Sequence, residues 1–209
     1  MSRRAAAGVV AVSLAVVGAL TGVLWAWLAP PVHGVIALTK SGTRAHAYLG
    51  AEADHFFVAA FLMVGVVAVV AVVAAVAAWQ WRAHRGPLMV AALTVGAMLG
   101  AGAASGIGAV LMRARFGMVD IDAAPVTPQH RVHYFTEAPA VFFGHSPLQI
   151  AATLLVPAAA AALVYALIAV STPRDDLGAY PPVEFLMPPR PTDVGLPPVT
   201  ADDGSTPAR

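Results

Sequence analysis

The chain has no cysteine among its 209 residues. That excludes a disulfide framework, a thiolate metal site and cysteine nucleophilic chemistry, and leaves the redox compartment open. Charge is scarce as well. Asp, Glu, Lys and Arg make up 11% of the chain, against roughly 25% in a soluble globular domain. Neither sign prevails: the formal net charge is +1, too weak a field to argue for nucleic acid or an acidic partner. Instead, 59% of the residues are hydrophobic and the mean hydropathy is +0.76. A water-soluble domain of this size needs a charged surface that is missing here. A simple soluble enzyme is therefore excluded as the leading class.

The apolar residues gather in four blocks, at residues 5–29 and at about 56–79, 88–112 and 148–170. Each meets the roughly 20 residues needed to cross about 30 Å of hydrocarbon at 1.5 Å per residue. Interior polar groups are mild: Ser13, Thr21, Thr94, Ser105 and Tyr165. Valine in the second block favours sheet in water, but in lipid an open strand leaves its backbone unpaired whereas a helix does not. The expected fold is all-α, an integral membrane four-helix bundle over residues 1–170. Loops 30–55 and 113–147 would form a small extramembrane cap. The first block, with Arg3 and Arg4 before it, resembles a signal peptide. Its length, and an ending of Trp25, Trp27, Pro30 and Pro31 where a small-x-small site belongs, read as a retained helix.

Four spans put both ends of the bundle on one side. The compact clusters Arg3/Arg4 and Arg82/Arg85 favour cytoplasmic termini, whereas Arg113 and Arg115 argue the other way. Trp25 and Trp27, near the outer end of the first helix, and Trp79 and Trp81, near the inner end of the second, are expected as headgroup anchors. On the third helix Gly96, Gly100, Ala104 and Gly108 recur every four residues, with Gly102 and Gly106 as a second ridge. Gly18 and Gly22 on the first helix have the same spacing. Small residues let helices approach in lipid, where little hydrophobic force joins them. The third helix is thus expected to be central, contacting the first helix or a partner subunit. Pro157 should bend the fourth.

Six of the seven histidines fall in the two outer loops: His33, His46, His55, His130, His133 and His145. Residues 35–39 and 132–136 favour β structure and would pair in the cap. His130-x-x-His133 with Glu137 has a ligand-like look. On a helix these residues would share a side and meet Asp54 or His55, a set zinc accepts. The blander reading is stronger: H-x-x-H is a weak motif, Pro125, Pro128 and Pro139 oppose a long helix, and such groups at a headgroup boundary are commonly just solvated. No phosphate loop, H-E-x-x-H or G-x-S-x-G is present in a fitting context. No catalytic residue and no cofactor is therefore expected, and no charge lies deep in any helix to suggest an ion path.

From residue 171 to 209 the material changes: nine of 39 residues are proline, and three basic against six acidic residues give a net charge of −3. This cytoplasmic tail is expected to be disordered. Its apolar cluster Val183, Phe185, Leu186 and Met187 is the best place in it for docking in polyproline geometry.

Several islands are more distinctive than the valine-rich helices: Leu24-Trp-Ala-Trp-Leu-Ala-Pro-Pro31, His46-Ala-Tyr-Leu-Gly50, Glu52-Ala-Asp-His-Phe-Phe57, Trp79-Gln-Trp-Arg-Ala-His-Arg-Gly-Pro87 and Phe142-Phe-Gly-His-Ser-Pro147. In these the chain resembles an uncharacterised multi-pass membrane-protein family of mycobacteria and related actinobacteria. The resemblance spans residues 24 to about 180. It implies a small protein of the cell membrane and carries no activity or functional residue with it. The leading expectation is an interaction or accessory subunit of a cell-envelope or membrane complex, in contact with lipid and with a partner membrane protein or further copies of itself. The alternatives are a small transporter, favoured by a cavity lined by Thr94, Ser105 and Tyr165, and a membrane enzyme or metal sensor built on the outer histidines.

Overall fold

A computed structural model describes residues 1–173 and Leu177. Four helices, α1 (Arg3–Leu28), α2 (Asp54–Gln80), α3 (Pro87–Phe116) and α4 (Pro147–Val170), are each long and apolar enough to cross a membrane. Local chemistry sets their ends. The Ser2 hydroxyl accepts the Ala5 amide at the head of α1, and Ala29 turns extended just before Pro30 and Pro31. Ser146 and Gln149 form a reciprocal capping box at α4, with Pro147 in the first turn. α3 runs four residues past the charge-free block, through Arg113 and Arg115, and stops at Gly117 with φ +75°. Two cations in the last turn suit the negative end of the helix dipole, so the first charge does not end the helix. α4 remains helical through Pro157, whose ring is buried.

The tightest seam in the bundle joins α1 to α3, which run parallel although α2 separates them in sequence. A Cβ added at Gly18 would fall on the carbonyl of Gly100, and one at Gly22 would lie 2.5 Å from the carbonyl oxygen of Ala104. Gly100 faces the Leu14 carbonyl at 2.7 Å by the same construction, and Gly96 faces Ala11 and Leu14. Gly108 is covered by the Trp25 ring and the Met63 methyl. Gly102 and Gly106 have open space where a Cβ would sit, so the second ridge faces out of the bundle. A cavity inside the helices, beside Leu14, Gly18, Thr21, Val67 and Gly100, measures about 10 Å³. That is no more than one water molecule occupies.

Between α1 and α2 the chain forms a hairpin, β1 (Val32–Leu38) and β2 (Arg44–Tyr48), and β3 (Val132–Glu137) adds to the free edge of β1. The sheet order is β2-β1-β3, antiparallel throughout, with Val35 opposite both Ala47 and Tyr134. The hairpin loop closes with the Thr39 amide donating to the Thr43 carbonyl at 2.8 Å, and Gly42 supplies the φ of +82°. One face of β1, Val32 and Ile36, is fully buried, Ile36 beneath Ala124 and Val126 of the α3–β3 connection. Gly34, on that face, lets the Phe135 ring lie across the strand.

The seam predicts an asymmetry between glycines. Gly18→Ala forces α1 and α3 apart and is expected to cost about 1–3 kcal/mol, the usual range for overpacking. Gly106→Ala, which meets nothing, should be neutral or slightly stabilising. Unfolding of the two purified variants in mixed detergent measures both; equal effects would overturn the distinction.

Candidate functional site

The sheet end of the bundle gathers most of the chain's titratable side chains, and three of them meet. β1 leaves α1 by the Pro30–Pro31 step, and the turn before α2 brings Glu52 back beside it. Glu52 Oε2 accepts from the His33 amide at 3.2 Å and from His33 Nδ1 at 3.0 Å. The same oxygen lies 2.9 Å from His55 Nδ1, which also donates to the Pro31 carbonyl at 2.9 Å. Because the partner atoms are acceptors, each Nδ1 carries its hydrogen. The hydrogen bond from the His33 ring holds the Glu52 carboxyl below the usual range. Partial burial pushes it the other way and is outweighed, with the His33 amide and the nearby imidazole charges adding to the lowering. The cluster works as a latch. It ties the exit of α1 and the first residues of β1 to the head of α2.

A second polar contact crosses the sheet beside it. The Tyr48 hydroxyl of β2 donates to Glu137 Oε1 of β3 at 3.2 Å, spanning Gly34 of the middle strand. Burial first, and then the Glu137 carboxylate, raises the Tyr48 phenol above its ordinary value, so it remains a donor across the neutral range. His46 packs on Tyr48 edge-on at 4.7 Å and on Phe135 face-on at 5.4 Å. This half of the cap is therefore an aromatic cover over Gly34.

The candidate metal ligands His55, His130, His133 and Glu137 stand apart. His130 lies in the turn before β3, closed by Thr127, while His133 and Glu137 stand on a strand. His133 is opposite Ile36, Glu137 is bound to Tyr48, and His55 belongs to the latch. The helical spacing that would have grouped them requires a period of 3.6, and the segment adopts a period of two. Among the described residues no three His, Asp or Glu side chains are placed to hold a metal ion. His33 and Glu52, which do meet, lie 19 residues apart with no periodic relation to reveal them.

Two of the four tryptophans expected as headgroup anchors are buried in the bundle. Trp25 is fully buried between α1, α2 and α3, its indole N–H donating to the Ala59 carbonyl at 2.8 Å. With its one donor satisfied inside, the ring has no need of the interface. Trp79 is buried against the Tyr165 ring, with the Arg85 guanidinium 4.3 Å from its ring centroid. Trp27, at 76% exposed, and Trp81 point outward. Nor do Thr94, Ser105 and Tyr165 share a cavity. Thr94 returns its hydroxyl to the Val90 carbonyl, and Tyr165 accepts the Gly86 amide.

Among the described residues the other face of the sheet is uncovered. Val35 and Ala37 of β1, Ala45 and Ala47 of β2, and Val132 and Tyr134 of β3 point to the same side by register. Tyr134 is 68% exposed and Val132 51%. A six-residue apolar face on three strands is an unusual thing to leave open.

These features define a class: a four-span membrane protein with a close-packed bundle and a small extramembrane sheet. The chain belongs to the family described as "Protein of unknown function (DUF2567)", whose model matches residues 14–179. Among its relatives is the uncharacterised protein Rv1591 of Mycobacterium tuberculosis H37Rv, 51% identical over 172 residues, covering 82% of this chain and 89% of the relative. The uncharacterised protein ML1222 of Mycobacterium leprae is 53% identical over 169 residues, covering 81% and 85%. No solved structure matches. The family is thus one of multi-pass membrane proteins with members in mycobacteria.

The latch has a pH signature. A carboxyl held low in the folded protein contributes stability above its ordinary value, and that contribution is lost as pH falls through the folded value. Protection of the His33 amide, and of the Leu49 amide that donates to the His33 carbonyl, taken relative to the intrinsic exchange rate at each pH, should hold at neutral pH and fall only below the usual glutamate range. In Glu52→Gln the exchange should be fast already at neutral pH. A variant indistinguishable from wild type across the range would remove the latch from consideration.

Proposed function

We propose that this protein is an interaction subunit of a cell-envelope or membrane complex, with both termini cytoplasmic and its sheet presented on the opposite side to a separate membrane protein. The open apolar face formed by Val35, Ala37, Ala45, Ala47, Val132 and Tyr134 carries the reading. A sheet edge or face of this kind is recognised through alternate side chains and one or two aromatic anchors, and Tyr134 stands in the anchor position. The glycine seam and the water-sized cavity support a rigid support for that face over a substrate path.

Photo-crosslinking in intact cells tests it. A benzoylphenylalanine at position 134 is expected to give one discrete protein adduct, and one at the exposed helix position Val110 only lipid. In an otherwise normal chain, Tyr134→Arg should weaken co-purification of that partner about thirtyfold, the loss of a roughly 2 kcal/mol aromatic hot spot. An adduct of twice the chain's own mass, or none at position 134, would overturn the reading.

The proposed topology has its own check, made simple by the lack of native cysteine. Ser41→Cys in the hairpin loop should react with a membrane-impermeant maleimide in intact cells, and Ser2→Cys only after lysis. The reverse pattern would place the termini outside.

A further inference from the structure

At the sheet end, α1 stops at Leu28 while α3 continues to Phe116, and above the glycine seam a groove of about 400 Å³ opens between them. Val23, Ala26 and Trp27 form one wall, and Leu111, Met112 and Arg115 the other. The two ends of this groove differ in chemistry. Its lower part is aliphatic and belongs to the charge-free length of α3. Arg115 lies seven residues beyond Gly108, about 10 Å further along the axis. A helix of 30 residues is about 45 Å long, so its last turn stands clear of about 30 Å of hydrocarbon, at the depth of lipid phosphates. Trp27 is exposed beside the groove, an amphipathic ring suited to that boundary.

Arg115 is also uncommitted. Arg44, Arg85 and Arg131 each donate to backbone carbonyls, those of Ala124, of Trp79 and Leu177, and of Pro128. Among the described residues Arg115 has no hydrogen-bonded side-chain partner and no carboxylate, and its guanidinium lies 5.0 Å from the centroid of the Phe116 ring. The acid just downstream, Asp120, is occupied with the amides of Asp122 and Ala123 in its own turn. Complementing the helix dipole explains a cation in this turn. It does not explain a cation at the mouth of an apolar groove.

We propose that this groove binds one anionic phospholipid, its acyl chain against Val23, Ala26 and Leu111 and its phosphate paired with the Arg115 guanidinium. The fork of donors on arginine matches phosphate oxygens in pairs. A zwitterionic lipid offers the same phosphate but carries its own neutralising cation, so net charge sets the preference. This inference rests on the membrane spans alone and is independent of the partner proposed above.

The test is native mass spectrometry of the full-length protein released from dodecyl maltoside, after incubation with dioleoyl-phosphatidylglycerol, dioleoyl-phosphatidylcholine or inorganic phosphate. One phosphatidylglycerol per chain is expected, retained about fivefold over phosphatidylcholine, as one interfacial basic residue supplies. Arg115→Gln should abolish the preference, Arg115→Lys should keep it, and Arg113→Gln, outside the groove lining, should leave it intact. Equal retention of the two lipids by wild type, or an undiminished preference in Arg115→Gln, would overturn the proposal. So would displacement of the bound lipid by inorganic phosphate, which would mark a site for the free ion. Should Arg115→Gln fail to fold, the wild-type comparison and the Lys and Arg113 variants decide the matter.

Discussion

Backbone contact between α1 and α3 is the constraint on which the rest of the molecule depends. In lipid an apolar side chain gains little by leaving hydrocarbon for protein, so helices hold together by close van der Waals approach. At Gly18 and Gly100 that approach leaves no room for a single methyl group. The seam joins helices that are not neighbours in sequence, and α2 must then cross to return the chain. α3 consequently becomes the most buried of the four helices, while α1, α2 and α4 keep broad faces for lipid. It also explains Trp25. Above Gly22 the seam stops being glycine, and the indole fills the widened space over Gly108, where its N–H finds a carbonyl on α2. The ring thus continues, in side-chain atoms, a contact that begins in backbone atoms.

From that seam the sheet end follows. Fixing α1 beside α3 fixes where the chain emerges at Pro30, and β1 begins two residues later. With β1 in place, the latch at Glu52 brings the head of α2 to it, and β3 is offered an edge on the other side. Isolated two-stranded hairpins are marginal in water. This one survives because its middle strand is anchored at both ends of the connection, by helix and by carboxylate.

The sequence made some of this plain and hid the rest for physical reasons. The four helices were legible because crossing lipid demands long charge-free runs, a one-dimensional signal. The glycine ridge was legible because i, i+4 spacing puts residues on one face. β1 and β3 announced themselves by β-branched and aromatic residues. β2, Arg-Ala-His-Ala-Tyr, did not, since alanine has little strand preference and the segment is a strand only because a five-residue loop folds it onto β1. The end of α3 was hidden because charge, read as a stop, instead satisfies the helix terminus. The burial of Trp25 and Trp79 was hidden for a related reason. Tryptophan at a helix end suits the interface, but a satisfied N–H or a stacked guanidinium suits it equally to the interior, and only tertiary structure distinguishes the two. The histidine pairing was beyond sequence altogether, because His33 and Glu52 are brought together by the turn of the chain and by no repeat. The proline-rich tail expected from residue 171 lies, apart from residues 171–173 and Leu177, outside the described residues.

Arginine shows how a membrane protein separates support from recognition. At the end of the bundle that carries the N-terminus, Arg85 is held within the chain: its Nε–H goes to Trp79, a terminal N–H to Leu177, and its plane to the Trp79 ring. Such a side chain closes a helix end and caps an aromatic core. At the sheet end Arg115 holds a comparable position at a helix terminus, with its aromatic contact to Phe116 and its donors free. A guanidinium is costly to leave without acceptors near hydrocarbon, so those donors must be met by water or by phosphate. At headgroup depth, beside an apolar groove that excludes water on one side, phosphate is the acceptor in supply. The same reasoning separates the two faces of the sheet. The face under Ala124 and Val126 has its cover within the chain, and the face bearing Tyr134 is open among the described residues.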